Sequence, residues 1–595
     1  TTNQLADGTG LAAGFIAAGF NISEAKSNTT TTATLTNLTT LSAGALNVTA
    51  TGTDTNTAVT VAGSGGLVAG SAATSKTSTI STTRAAADTT GLAAYGVNVA
   101  GTATISAQHT ANFAGSVDST QASLVGASGA SLAHTVISTV DARIGDRVQL
   151  TAQNLTLSAR NLTFNPFLAG GANNVRSISG GLANVPAGGA TLAITHNTTA
   201  AVGALAAVQL TKPGAGPSLF KQEAYNNIVA KQKVNLDSGG AIALANAEID
   251  AVITANATAS VGGAGKVAVD YGDIQIAAWG EGDLDMRSTA TTYGLAGAPS
   301  GDANITYTGA NTVSIGNDAL VQATDGDNPT NGDVPRYATV TIGAGTGPLG
   351  QAANLKFNAT VDIFNKTAIP IPTAPNPTVI VANSGLVTVG TTSSTNMNIN
   401  PQGVRAAGDI RISVSRGNIS ATAVGTGKDI YREALAAAAS AVSNAFGGGD
   451  VTFDYHGGST STNGGIARVD INGRVETGIQ RYKTLTLDDA CTTSGCISIT
   501  SSGNIIFTTS GPNPVGTDIL ARVAELAQLI LDYATDPIAK AAYQNEINFL
   551  HNKLVGLGLG SFDAGGNFVA GTYAGPSPKA LLEAQAAADA ANIST

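Results

Sequence analysis

Charged side chains are scarce in this sequence. Asp, Glu, Lys and Arg make up 11% of its 595 residues, against about 25% in an ordinary soluble domain. The 29 Lys and Arg are outnumbered by 39 Asp and Glu, for a net charge of -10. No basic stripe is present to neutralise phosphate, so nucleic acid is set aside as a partner. Aromatics are equally thin at 5%. Low charge with a mean hydropathy of +0.15 excludes the disordered class, which combines low hydrophobicity with high net charge. Glycine follows no period of three, which excludes collagen. No apolar run approaches the about eighteen residues of a membrane-spanning helix, and the opening LAAGFIAAGF (11–20) is too short and lacks the basic flank of a signal peptide. The chain begins at Thr1, which reads as a processed product or an internal piece of something longer. Its two cysteines, Cys491 and Cys496 in ACTTSGCIS, suit a small disulfide-closed loop in an oxidising compartment, the alternative being two free thiols. With no second pair and no nearby His, zinc lacks its ligands.

What fills the chain instead is glycine, 72 residues of it, with Thr, Ser, Ala and Asn. Short alternating runs such as ALNVTATGTDTNTAVTVAG and GTATISAQHTANFAG read as strands separated by tight turns. An all-β, repetitive, elongated protein is the economical expectation. In DRVQLTAQNLTLSARNLTF the residues Val148, Leu150, Leu155, Leu157, Leu162 and Phe164 are expected on one face, with Asn154 and Asn161 breaking the phase at corners. A looser repeat pairs GSGGLVAGSAATSKTSTIS with SLVGASGASLAHTVISTV at roughly sixty residues. A shorter device recurs at nine and ten residues: Gly followed by Asp or Asn and then Ile or Leu, at Gly272, Gly282, Gly408, Gly417 and Gly503. These glycines are expected to be structural corners that launch consecutive strands.

The pattern divides the chain into an N-terminal segment (1–34), β-repeat regions (35–164, 234–368, 379–428 and, with the Cys pair, 450–515), an irregular excursion containing four prolines (165–233) and a Pro-rich linker (369–378). A helix is expected over 429–449, where an Ala-rich run stops at Gly447 to Gly449. The C-terminal region (516–595) reads as helical, with one stripe at Ile519, Val523, Leu526 and Ile530 and a second at Tyr543, Ile547, Leu550 and Leu554.

Chemistry is hard to find. His109, His134, His196, His456 and His551 stand alone in sequence, in no metal-binding spacing, and are expected to face solvent. No cofactor is implied: GTGPLG (Gly345, Gly347, Gly350) is followed by a strand-like run, whereas a dinucleotide fingerprint must open a helix. Asp325, Asp327 and Asp333 form an oxygen-rich turn without EF-hand spacing, a weak metal candidate. Glu281, Asp283, Asp285 and Arg287 share one face of a strand, the densest candidate for a polysaccharide-acting enzyme. Asn-x-Ser/Thr triplets, among them those at Asn161 and Asn256, leave glycosylation open.

The Gly-[Asp/Asn]-[Ile/Leu] corners resemble the repeats of filamentous haemagglutinin-type bacterial exoproteins and long filamentous adhesins, most clearly over 272–287, 408–424 and 503–507. The resemblance implies a parallel β-helix or β-solenoid with a few inserted and C-terminal α-helices. It also implies an extracellular or cell-surface, non-catalytic adhesin or self-assembling filament subunit. Its partners are expected to be copies of itself, with host or environmental surface glycans as a further possibility. The alternatives are the polysaccharide-acting enzyme and a sheath or surface-layer component.

Overall fold

The computed structural model describes residues 1–36, 40–88, 95–211, 216–324, 338–390, 403–406, 410–445, 455–462, 464–471, 474–477, 497–501, 560–562 and 568–570. Most of these are strand, and the strands pair mainly in parallel. Four strands are very long: Leu46–Ala87 at 42 residues, Thr102–Ile144 at 43, and Ser218–Val261 and Gly272–Ile315 at 44 each. An ordinary strand has about five or six.

The pairing follows a long step. Thr2 pairs with Asp54, Leu46 with Ala103, Val125 with Ala183, Ala183 with Ile242 and Ser218 with Gly272, so each layer of chain, here called a tier, lies on another 52 to 59 residues away. Later steps lengthen: Gly282 meets Leu355 and Gly385 meets Ala467. Long strands double back at an apex, which buries their alternate residues between two arms. Asn56 Nδ2 thus reaches Ser78 O at 3.1 Å, and Gln222 Nε2 reaches Ser260 O at 2.9 Å. At the apex one residue drops out of register. Gly66 pairs with Ser123 and Val68 with Val125, leaving Leu67 and Leu124 between, while Ala241 and Leu295 are skipped in the same way. The sixty-residue repeat visible in the sequence is this apex. At the opposite end, eight short parallel strands running from Thr40–Ala43 to Arg474–Thr477 form a second sheet.

The interior is built from columns. Leu41, Val97, Leu150, Val208, Val267, Val321 and Val404 stack in register through the eight-stranded sheet. Leu155, Phe220, Ile274, Val340 and Ile410 do so in the large one. Stacked β-branched residues suit parallel strands covered on both sides, and each buried side chain contributes about 1.5–3 kcal/mol. These columns form one apolar body near the short strands. A second body, around Phe113, Leu132, Ile249, Tyr307 and Phe357, lies nearer the apex.

The structure corrects the excursion and the facing of Leu162 and Phe164, and adds detail to the other divisions. Residues 1–34 hold strands Thr2–Ala13 and Ile16–Leu35, both paired on Leu46–Ala87. The stretch 165–233 contains Val175–Gly180, Ala183–Val202, Ala207–Leu210 and the start of Ser218–Val261, all in the same sheets. Pro166 and Pro217 stand just outside strands. Pro186 lies inside one, where pairing to Ser218–Val261 skips Val185 and Pro186 because proline has no N–H to donate. In DRVQLTAQNLTLSARNLTF, Asn161 keeps the phase and is buried, while Leu162 and Phe164 turn outward. Of the Pro-rich linker, 371–375 lies between Asn354–Pro370 and Asn376–Val389. The helix is Ile430–Ala445, and the Asp429 carboxylate caps it by accepting from Arg432 N at 2.8 Å. The helical stripes at 519–530 and 543–554 lie outside the described residues. Further on, Gly560–Phe562 and Phe568–Ala570 pair antiparallel.

Candidate functional site

Alternation along Gly272–Ile315 turns Glu281, Asp283, Asp285 and Arg287 outward, beside Lys231 and Lys233 on one neighbouring strand and Lys356 and Asn358 on the other. Every one of the four is engaged. Tyr225 OH donates to Glu281 Oε2 at 2.6 Å, Lys231 Nζ lies 2.7 Å from Asp283 Oδ2, and Arg287 forks onto Asp285 at 2.9 and 2.7 Å. Asn358 Nδ2 adds a donor to Asp285 at 3.1 Å. Arg287 and Lys231 also face the ring of Phe167, at 4.9 and 6.0 Å from its centroid.

Beside them Tyr225 and Trp279 stack with ring centroids 4.6 Å apart. Trp279 Nε1 donates to Glu223 Oε1 at 3.0 Å, and Lys221 pairs with the same carboxylate. Both rings are buried although they point outward, packed with Ala353 and Leu162. Burial, and then the Glu281 carboxylate, push the Tyr225 hydroxyl pKa up, so it stays a donor. Neutralised carboxylates and covered rings can anchor the segments that cross this face.

The histidines overturn the expectation of solvent exposure. His109, His134 and His196 are all buried, and only His456 among the described histidines is exposed. His109 Nε2 lies 3.0 Å from Asp54 Oδ2, and its Nδ1 lies 3.2 Å from Ser81 Oγ and 3.1 Å from Ser138 Oγ. Asp54 also accepts from Thr29 at 2.9 Å and from Thr2. Burial alone raises the Asp54 pKa, but the His109, Thr2 and Thr29 hydrogen bonds outweigh it and hold the carboxyl below its usual range. The residue types are those of an Asp-His-Ser triad, yet Asp54, His109, Ser81 and Ser138 expose 0–3% of their surfaces. A nucleophile must meet its substrate, and this one sits in the interior.

The set belongs to a polar seam running from tier to tier between the two apolar bodies. Thr163 Oγ1 meets His196 Nε2 at 2.7 Å, Thr198 donates to Asn226 at 2.6 Å, and Asn311 donates to Asn383 at 3.1 Å. Parity is the signal that could have found it. His109 shares the inward phase of Ile105, Ala107, Ala111 and Phe113, as His196 shares that of Leu192 and Ile194.

Gly272 opens its strand at φ 155°, with Ser218 O at 1.8 Å from where a Cβ would sit. Gly417, at φ 83°, lies between Ile410–Val414 and Asn418–Asp429. Gly282 lies inside a continuous strand, paired with Ile228 and Leu355. Gly408, Gly503, Cys491, Cys496, Asp325, Asp327, Asp333 and His551 lie outside the described residues. GTGPLG makes a tight turn, with Gly347 N donating to Gln351 O at 2.8 Å, and leads into strand Asn354–Pro370 rather than a helix. Among the described residues no His, Cys, Asp or Glu cluster has the makings of a metal site, and no helix is long and apolar enough to cross a membrane. No family model, curated protein or solved structure matches the chain.

Proposed function

We propose that this chain is a non-catalytic, extracellular fibrous protein, a surface adhesin or a filament subunit that assembles with copies of itself. In this reading its tiers form the shaft of a parallel β-solenoid, each advancing about 4.8 Å. The observation that carries it is the unbroken parallel register, in which Val97, Leu150, Val208, Val267, Val321 and Val404 follow one another in a single column. Such a stack has no natural limit to its length.

Two further features support the reading. Outer positions carry short hydroxyl side chains in ladders, such as Thr195, Thr254 and Thr308, which cover a shaft without creating a cleft. Strands Thr2–Ala13 and Ile16–Leu35 are laid along Leu46–Ala87, and end-to-end assembly would cover their other edge. Gly272 and Gly417 are two of the five glycines on which the resemblance to filamentous haemagglutinin-type exoproteins rests, and both stand where strands begin. Negative-stain electron microscopy of the purified chain tests the proposal. Slender rods that join end to end are expected, whereas compact particles at every concentration would overturn it. Cleavage of polyuronides or other glycans, lost in Asp283→Ala and Asp285→Ala, would replace it with the enzyme reading.

A further inference from the structure

The apexes carry a feature that neither core nor seam accounts for. Leu67, Leu124, Leu182 and Leu295 stand at turning points, with Ala241 at the one between the last two, and the four leucines are 40–56% exposed. Next to them runs a ladder in direct register, Ile16 to Val68 to Val125 to Ala183 to Ile242 to Ala296 to Ile369. Its large members are 46–76% exposed. The result is an aliphatic ridge along the tier axis with a knob about every 4.8 Å. Glycine flanks it in most tiers, at Gly14, Gly66, Gly181, Gly240 and Gly294 on one side and Gly126 on the other, with the exposed rings of Phe15 and Tyr293 beside Gly14 and Gly294.

The ridge is also free of charge. None of the stretches 14–22, 63–75, 119–132, 177–201, 238–247, 288–301 and 367–377 contains Asp, Glu, Lys or Arg. Partners recognised by charge therefore have nothing to read here, and two copies of a chain of net charge -10 meet with least repulsion along this line. The knob spacing of one ridge is by construction that of another copy, so the aliphatic knobs of one can seat between those of the other. The seven-rung ladder is about 29 Å long, and a sheet pair is about 10 Å across, giving about 300 Å² per molecule. That falls well short of the about 800 Å² per partner of a standard stable complex. A lone foreign protein is poorly served by such a strip, whereas stacked copies add one strip to the next.

We infer that the apex ridge is a side-by-side self-association surface, through which two copies of this chain pack laterally. The inference rests on the fibrous reading for its biological scale but not for its test. Leu182→Cys, at the middle of the ridge, is introduced into the full chain and compared with Thr195→Cys on the flat outer face and with the unmodified chain as background. Under mild oxidation, a covalent dimer is expected to form at least tenfold faster from Leu182→Cys than from Thr195→Cys. Equal rates would overturn the inference. A second variant, Leu67→Asn with Leu124→Asn, Leu182→Asn and Leu295→Asn, is expected to abolish laterally paired particles in micrographs while leaving the length of single particles unchanged. Persistence of pairing in that variant, or flotation of the unmodified chain with phosphatidylcholine vesicles in place of pairing, also contradicts it. Compact particles with efficient Leu182→Cys cross-linking would sink the fibrous proposal and leave the lateral contact standing.

Discussion

The two apolar bodies and the polar seam between them occupy the same tiers but hold together differently. In the columns a residue meets its own kind above and below, as Val208 meets Leu150 and Val267. Contacts there are non-directional, so one Val does nearly the work of another. In the seam each group depends on particular partners: Asp54 on His109, Thr29 and Thr2, and His196 on Thr163. Repetition tolerates exchange of similar shapes, while the seam fixes how the two arms of a tier face each other.

Substitutions separate these two kinds of adhesion. Phe220→Ala, in the middle of a fully buried column, is expected to cost about 3–5 kcal/mol, read from the denaturant midpoint. Phe220→Leu should recover most of that loss. Asp54→Ala leaves His109, Thr29 and Thr2 without their acceptor and should cost about 3 kcal/mol. Unlike the column, it should not be rescued by an apolar residue of similar size, and a rescue by Leu would show that the seam is ordinary packing.

Acid should act on the buried histidines, His196 in the seam and His134 beside Phe113 in the second apolar body. Burial pushes His196, with help from the nearby His109, and His134 by burial alone, down to about 3. Folded, these rings stay neutral at pH values where the unfolded chain binds protons from about 6.5 downward. Their contribution is therefore complete above pH 6.5 and falls steadily toward pH 3, by about 2 kcal/mol per histidine at pH 5. Asp54 acts in the same direction, since its lowered pKa stabilises the fold above the ordinary carboxylate range and that gain is lost as acid protonates it. Chemical denaturation at pH 7 and pH 5 measures the slope, and His134→Gln should flatten it. A slope unchanged by that substitution would show that His134 does not contribute. The outer patch should matter least. Tyr225→Phe removes one hydrogen bond to Glu281, about 1 kcal/mol, and Lys231→Ala, from a half-exposed pair, should cost less than 1 kcal/mol.

The alternation in ALNVTATGTDTNTAVTVAG made strands legible because inward and outward positions differ in polarity there. The apex repeat was legible because Gly-Leu-Val in one tier faces Ser-Leu-Val in the next. The strand lengths were not. Gly282 reads as a break, yet the chain stays extended through it because its neighbours pair on both sides. The excursion at 165–233 misled through its prolines, which a sheet accepts at strand margins and at one register gap. The seam was hidden because Asp54, His109 and Ser138 come together from positions 55 and 29 residues apart, and polar residues on the inward phase look like interruptions until the opposing arm is known. The carboxylates of the outer patch were visible as a set, but the groups that neutralise them, Tyr225 and Lys231, come from the neighbouring strand.

The central proposal is that the tiers, paired in parallel at steps of 52 to 59 residues early in the chain and longer ones later, stack along one axis. X-ray diffraction from magnetically or flow-aligned protein tests it most directly. The account predicts a reflection at about 4.8 Å lying along the long axis of the particle. The same reflection at right angles to that axis, with strands running lengthwise, would contradict it.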